Sequence, residues 1–370
     1  LAPWNRKLRD GIQAEKAGKL KRLQGKIQPE PCTLALTMYR HLLVPLDATD
    51  LSIQVVGNAV EFARQLRAQI TFFHVAPEPD DAMGHDIEIL RVTSPADYQY
   101  ARDGRTRELL AKAEAAARAK GVACESHWKA GAKPAAAIIE EARSRDCDLI
   151  FMATHAQGGK LGMALSSDTL TVLLNAGMPV LVCSAGEPKP PERASAVIRD
   201  DHRAMAAVVH AWTGKLAAAS QAGKPADAGI MRDMLTYMSS FPMAVHHPRE
   251  EVWLFARIRA RTHALDDELD ELSRQHIYEH AIMEELSSLV DALEAAVDEP
   301  QAIEATRRLE QAVSRYAAFY WDHMGREEAV VLPAAQEHLL NSDWAEINKG
   351  FEEVADSREF RQLMAKVVAR

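Results

Sequence analysis

Two stretches in the second half of the chain echo each other: His246-His247-Pro248-Arg249-Glu250-Glu251 and His323-Met324-Gly325-Arg326-Glu327-Glu328. Each sets a histidine one helical turn ahead of a glutamate, so an imidazole and a carboxylate project from one helix face. A single pair of this kind is ordinarily a surface hydrogen bond or a weak ion pair. Two copies form a metal-site pattern, and further histidines fall into its frame: His202, and His276 with His280. The interval from His202 to His246 nearly equals that from His276 to His323, which reads as a duplicated hairpin. The candidate metal donors are therefore His202, His246, Glu250, His276, His280, His323 and Glu327.

Up to five imidazoles and two carboxylates make a nitrogen-rich pocket of intermediate softness. That set favours iron over the all-oxygen shells of calcium or magnesium and over the thiolate cage of structural zinc. It exceeds the needs of one ion and suits two metals bridged by the carboxylates, with one coordination position left for a small molecule. Ferritin-like dimetal bundles use Glu-x-x-His spacing, so the His-x3-Glu spacing here argues against them. One choice stays open in the spacing: His247 with Glu251 in place of His246 with Glu250. Aligning the repeats on Arg-Glu-Glu favours His246. His280 also reads as an outer or open-site residue, Tyr237 as core or as a lining of the open position, and His210, His263 and His338 as surface or packing residues. Pro248 should free a backbone carbonyl and kink its helix near the metal.

The elements that must position these residues are helices. Helical periodicity runs over 198–219, 228–262, 264–297 and 302–340, with short polar breaks between, which predicts an all-α four-helix up-and-down bundle. Ahead of it, Gly186-Glu-Pro-Lys-Pro-Pro-Glu192 is a semi-rigid linker. The first half has a different grammar. Apolar runs at 41–46, 70–75, 148–153 and 180–183 alternate with helical patterns at 55–66, 105–120 and 134–143, which predicts an α/β doubly wound parallel sheet with its ligand crevice beyond the carboxyl ends of the strands. The domain plan is 1–37 a basic tail, disordered or not native to the fold; 38–187 the α/β domain; 188–197 the linker; 198–345 the bundle; and 346–370 a C-terminal tail.

The first half resembles the universal stress protein family through Met38-Tyr-Arg-His-Leu-Leu-Val-Pro-Leu-Asp47, Phe73-His-Val75, Gly131-Ala-Lys-Pro-Ala-Ala-Ala-Ile-Ile-Glu140 and Ala176-Gly-Met-Pro-Val-Leu-Val182. The resemblance implies dimerisation through the last strand. In some members it implies ATP binding, with Asp47, Val75, Ser166 and Ser167 at the nucleotide-facing positions. Laid over the family's phosphate loop, however, Ala153, Ala156 and Ser166 stand where the pattern has glycine, which counts against ATP because phosphate cradling needs bare backbone. Gly158, Gly159 and Gly162 offer a different anion loop, or simply a turn.

The second half resembles the hemerythrin-like HHE cation-binding domain through residues 234–255, His323-Met-Gly-Arg-Glu-Glu-Ala-Val-Val-Leu-Pro333 and Ser342-Asp-Trp-Ala-Glu-Ile347. This implies a non-haem di-iron centre whose partner is oxygen, nitric oxide or peroxide, with His202, His246, Glu250, His276, His323 and Glu327 as ligands, His280 at the fifth-histidine position, and Glu328, at the spacing of the family's aspartate ligand, as a second candidate for the bridging role.

Composition bounds the rest. The chain has 370 residues, 47% of them hydrophobic, and a formal charge of -9; that is enough apolar material for two cores and too acidic for a generic nucleic-acid binder. Cys32, Cys124, Cys147 and Cys183 are widely spaced, as for reduced thiols. No apolar run approaches the roughly 18 residues of a membrane-spanning helix. The expected protein is a cytoplasmic stress-response homodimer that binds or senses a diatomic gas or peroxide through two irons. The alternatives are a di-iron enzyme turning over peroxide or nitric oxide, an iron storage or repair protein, and a nucleotide switch.

Overall fold

A computed structural model describes residues 39–47, 50–76, 95–131, 133–154, 166–184, 193–351 and 363. The expected basic tail 1–37, the loop glycines 158, 159 and 162 with Ala156, most of the linker, and nearly all of the chain after 351 lie outside the described residues. Among the described residues no helix is long and apolar enough to cross a membrane.

The first half builds a five-stranded parallel sheet from β1 (His41–Leu46), β2 (Gln69–Ala76), β3 (Cys124–Ala130), β4 (Leu149–Thr154) and β5 (Val180–Ser184), in the order β3-β2-β1-β4-β5. Register runs His41↔Gln69, Leu42↔Leu149, Ile70↔Cys124 and Ile150↔Val180. β1 and β2 are buried on both faces, which is why they read as unbroken apolar runs. β3 lies at the sheet edge, carries three polar residues in a row, Glu125-Ser126-His127, and has no fully buried residue. The apolar pattern did not announce it for that reason, and sequence reading missed it. The connecting helices are α1 (Asp50–Leu66), α2 (Pro95–Ala119), α3 (Pro134–Ser144) and α4 (Ser167–Asn175). The doubly wound parallel sheet expected from the sequence is therefore present.

The second half is helical. α5 (Arg193–Gln221) begins ahead of the expected Ile198. α6 (Ala228–Phe241) continues through a π-helical turn at Pro242–His246, a short α segment around Pro248, and a second π turn at Glu250–Phe255, ending with Ala256–Arg261. α7 (Asp266–Glu294) follows, then α8 (Glu299–Arg326), prolonged by a π turn at Glu327–Val331 and by Leu332–His338. A short α9 (Asn341–Gly350) closes the described chain. Asp227 and Asp298 cap the N-termini of α6 and α8 by accepting from Ile230 N–H and Gln301 N–H. The four rods contact one another around a core of Met205, Trp212, Met234, Leu286, Tyr316 and Tyr320.

The halves share a core. One apolar cluster runs from Leu42, Ile70 and Phe72 in the sheet, through Ala59 on α1 and Ala113 on α2, to Phe255, Val331 and Trp344. Gly325 makes this possible on the fourth rod: a Cβ there would stand 2.6 Å from both the Cα and the carbonyl oxygen of Lys112 on α2.

Candidate metal centre

Each rod delivers donors to one buried spot. α5 supplies His202, the second rod His246, His247 and Glu250, α7 His276, and the fourth rod His323 and Glu327. One donor atom from each of His202, His246, Glu250 and Glu327 lies within 4.8 Å of the others; the same holds for His247, His276 and His323, and for Glu250, His276, His323 and Glu327. Glu250 and Glu327 therefore stand between a two-histidine side and a three-histidine side.

The π turns explain how neighbouring residues face one pocket. In an α-helix His246 and His247 would diverge, but the extra residue in a π turn reduces the rotation between neighbours, and such turns collect at functional sites. Two of them flank the His246–Glu250 segment, and both histidines are buried against the cluster, their ring centroids 5.6 Å apart. The alternatives His246 and His247 both lie in the buried donor groups. A third π turn begins at Glu327; Glu327 faces the cluster, while Glu328 turns outward and backs His202. Pro248 sits between the first two π turns, where its missing N–H is accommodated.

His280 is the correction. It is exposed and outside the three groups. The buried stripe of α7 runs Leu272, Gln275, His276, Glu279, Met283, Leu286, and His280 falls off it. Glu279 takes the inward position instead, with its carboxylate 3.5 Å from His247 Nδ1. The fifth histidine of the buried cluster is His247, which sequence spacing offered only as a substitute for His246.

The two nitrogens of each ring do different work. The Nδ1 atoms face polar partners: Glu328 for His202 at 2.9 Å, Asp201 for His246 at 3.2 Å, Glu251 for His276 at 2.9 Å and Gln275 for His323 at 3.1 Å. Tyr316 in turn donates to the Glu279 carboxylate at 2.7 Å. Every Nε2 of His202, His246, His247, His276 and His323 is buried and makes no hydrogen bond, and the same is true of Glu250 Oε2 and both Glu327 oxygens. Close approaches such as His202 Nε2 to Glu327 Oε2 at 3.0 Å lack hydrogen-bond alignment. Buried polar atoms are almost always paired, so this convergence of orphans fits a cation. Fixing one ring nitrogen while the other is left bare is how proteins orient metal-binding imidazoles.

Electrostatics agree. Burial lowers His246, holds His247 well below the ordinary histidine range and takes His323 to about 3. These rings are bare donors at neutral pH. Burial also opposes charge on His202, but the Glu327 and Glu328 carboxylates against its two nitrogens raise it to about 9. Glu250 is pushed well up by burial and by Glu327 beside it. A metal ion in their midst would relieve both strains, because it supplies the positive charge the carboxylates lack.

Tyr237 belongs to the bundle core and stacks on Phe241, which stacks on His246. His210, expected to be a surface or packing residue, bonds Glu108 of α2 at 2.7 Å and stacks on Trp321. His263 is a surface residue bonded to Asp266. Sequence reading did not single out Asp201, Gln275 or Glu279; their only local signal is adjacency or one-turn spacing to a histidine.

In the first half, Asp47, Val75 and Ser166 line a cleft of about 220 Å³ at the carboxyl ends of the strands, with Leu46, Ala153 and Thr169. Ser166 is occupied structurally: its hydroxyl accepts from Thr169 N–H at 3.1 Å and caps α4. Ser167 opens that helix and is exposed.

Comparison with known proteins divides the chain in the same way. Residues 38–184 match the family model "Universal stress protein family", and residues 193–335 match "Hemerythrin HHE cation binding domain". A universal stress protein of Methanocaldococcus jannaschii is 27% identical over 150 residues, covering 39% of this chain and 82% of its own length. One of Bacillus subtilis is 25% identical over 147 residues, covering 39% of this chain and 99% of its own. Among solved structures, a universal stress protein from Archaeoglobus fulgidus is 22% identical with a TM-score of 0.31, over 39% of this chain and 98% of that one. The chain consists of a universal stress protein domain followed by a hemerythrin HHE cation-binding domain, and its buried His/Glu cluster lies in the second.

Proposed function

We propose that this is a cytoplasmic stress-response protein whose bundle holds a non-haem di-iron site that binds or senses oxygen, nitric oxide or peroxide. The observation that carries the reading is the convergence of five unpaired Nε2 atoms and two carboxylates in one buried pocket. His202 and His246 would serve one ion, and His247, His276 and His323 the other. Glu250 and Glu327 would bridge them. The two-histidine side offers one histidine fewer, which would leave room there for a small molecule. Iron bound in this set supplies a redox-active Lewis acid to which a diatomic molecule or peroxide can coordinate. The chain's own contribution is to hold the rings by their Nδ1 atoms, keep the pocket dry and supply the two carboxylates.

Iron per chain and the optical spectrum of the anaerobically purified protein test this. The expectation is two irons, with a spectrum that changes on adding oxygen or azide. A His246→Ala/His323→Ala variant should stay helical and lose its iron. Iron-free wild type after expression with iron, or full retention in the variant, would sink the assignment. Peroxide consumption by the iron-loaded protein, compared with that variant, separates the sensor from an enzyme. Homodimerisation through the first domain is supported by the edge position of β5 and by exposed Leu181 on it.

A second reading, a nucleotide switch, draws on the cleft that brings Asp47, Val75 and Ser166 together. Calorimetry with ATP would favour it only if binding appears and is lost in Asp47→Ala.

A further inference from the structure

Two hydrogen-bonded chains run from α2 of the stress-protein domain to Nδ1 atoms of the bundle's histidines. In the first, Lys112 Nζ sits 3.2 and 3.3 Å from the two oxygens of Glu328, and Glu328 Oε1 is 2.9 Å from His202 Nδ1. In the second, Arg118 Nη2 donates to Asp322 at 2.6 Å. The other Asp322 oxygen is 3.3 Å from Gln275 Nε2, and Gln275 Oε1 is 3.1 Å from His323 Nδ1. One chain ends on the two-histidine side of the pocket, the other on the three-histidine side.

We propose that α2 of the first domain completes the metal centre of the second, with Lys112 and Arg118 acting as positioning residues for His202 and His323. The inference rests on the metal reading above and adds that the site is not finished by the bundle alone. Glu328 is buried, and Lys112, itself largely buried, is the cation set against both of its oxygens. As a carboxylate it accepts the Nδ1 proton of His202 and leaves Nε2 bare for the metal. Lys112 is itself fixed by Glu108 at 3.0 Å, and Glu108 by His210 at 2.7 Å. The close backbone approach at Gly325 sets α2 against the rod that carries His323, Glu327 and Glu328. A displacement of α2 would therefore reach both sides of the metal pocket, which gives the stress-protein domain a physical route to the metal.

The two chains differ in strength. Lys112 is the cation that the structure sets on Glu328, whereas Asp322 keeps Arg326 at 2.8 Å if Arg118 is lost. Arg118 is also half exposed, which weakens its field.

The test is iron affinity of the full chain, measured by chelator competition, for Lys112→Met, Lys112→Arg, Arg118→Met, Glu328→Gln and the Lys112→Met/Glu328→Gln pair. Lys112→Met should weaken affinity by about 10-fold or more, the usual consequence of losing an outer partner of a metal ligand. Arg118→Met should weaken it less, and Lys112→Arg should restore it. In the Glu328→Gln background, Lys112→Met should have no further effect. That pair removes both charges together, Glu108 keeps its bond to His210, and the unfolding midpoints of the metal-free variants report folding separately. Unchanged affinity in Lys112→Met, or losses that simply add in the pair, would overturn the inference alone. A wild-type protein that takes up no iron would overturn the metal reading with it.

Discussion

The cleft at the sheet's carboxyl ends and the pocket between the rods both gather polar side chains, yet they use them oppositely. In the first domain the fold consumes the polar atoms it brings near the cleft. Ser166 caps α4, and buried His74 is bonded through Nδ1 to the Leu46 carbonyl at 2.9 Å. In the bundle, partners are supplied to one nitrogen of each imidazole and withheld from the other. What distinguishes a binding site from a well-satisfied core is which atoms are left over, more than which residue types are present.

The sharpest way to break this contrast is Glu250→Gln. Glu250 is buried beside Glu327, and its carboxyl is pushed well up by that burial and that neighbour. In metal-free protein the amide removes the like-charge cost, so unfolding by denaturant should show a gain of about 1 kcal/mol or more. Iron affinity, on the proposed reading, should fall by about 100-fold or more, since one of the two carboxylate donors would be gone. A variant that is less stable without metal and retains iron would show that the carboxylate serves the fold. Gly325→Ala comes next. A methyl on a helix normally gains about 1 kcal/mol over glycine, but here it meets the backbone of Lys112 at 2.6 Å, which cannot swing aside. Overpacking of about 1–3 kcal/mol should win, read as a lower thermal midpoint.

The His-x3-Glu echo, the four rods and the alternating strands were legible because each is a local period. The residues that were not legible depend on events no local period encodes. His247 enters the pocket because π turns flank it, and the sequence shows Pro242 and Pro248 there without saying how the chain resolves them. His280 stands one turn beyond His276, but the apolar stripe of α7 passes through Glu279. Lys112 reaches Glu328 across most of the chain, through a contact that Gly325 permits. The glycine within the second motif carried a signal of close approach, though not of what approaches.

The mildest test returns to the first cleft. If Ser166 is chiefly the cap of α4, as its 3.1 Å bond from Thr169 N–H indicates, then Ser166→Ala removes an N-cap and should cost about 1 kcal/mol. The loss should appear in the unfolding midpoint, leaving iron content and spectrum untouched. Ser166→Asp, which also caps well, should restore stability, and its negative charge should repel any phosphate in the cleft. The two substitutions therefore separate the roles. A cap predicts loss and then recovery of stability, with nucleotide titrations flat throughout. A phosphate-binding hydroxyl predicts ATP binding in the wild type that weakens in Ser166→Ala and weakens further in Ser166→Asp. The second pattern would make the first domain's cleft a site like the bundle's pocket, with side chains held for a ligand, and the contrast between the two regions would fail.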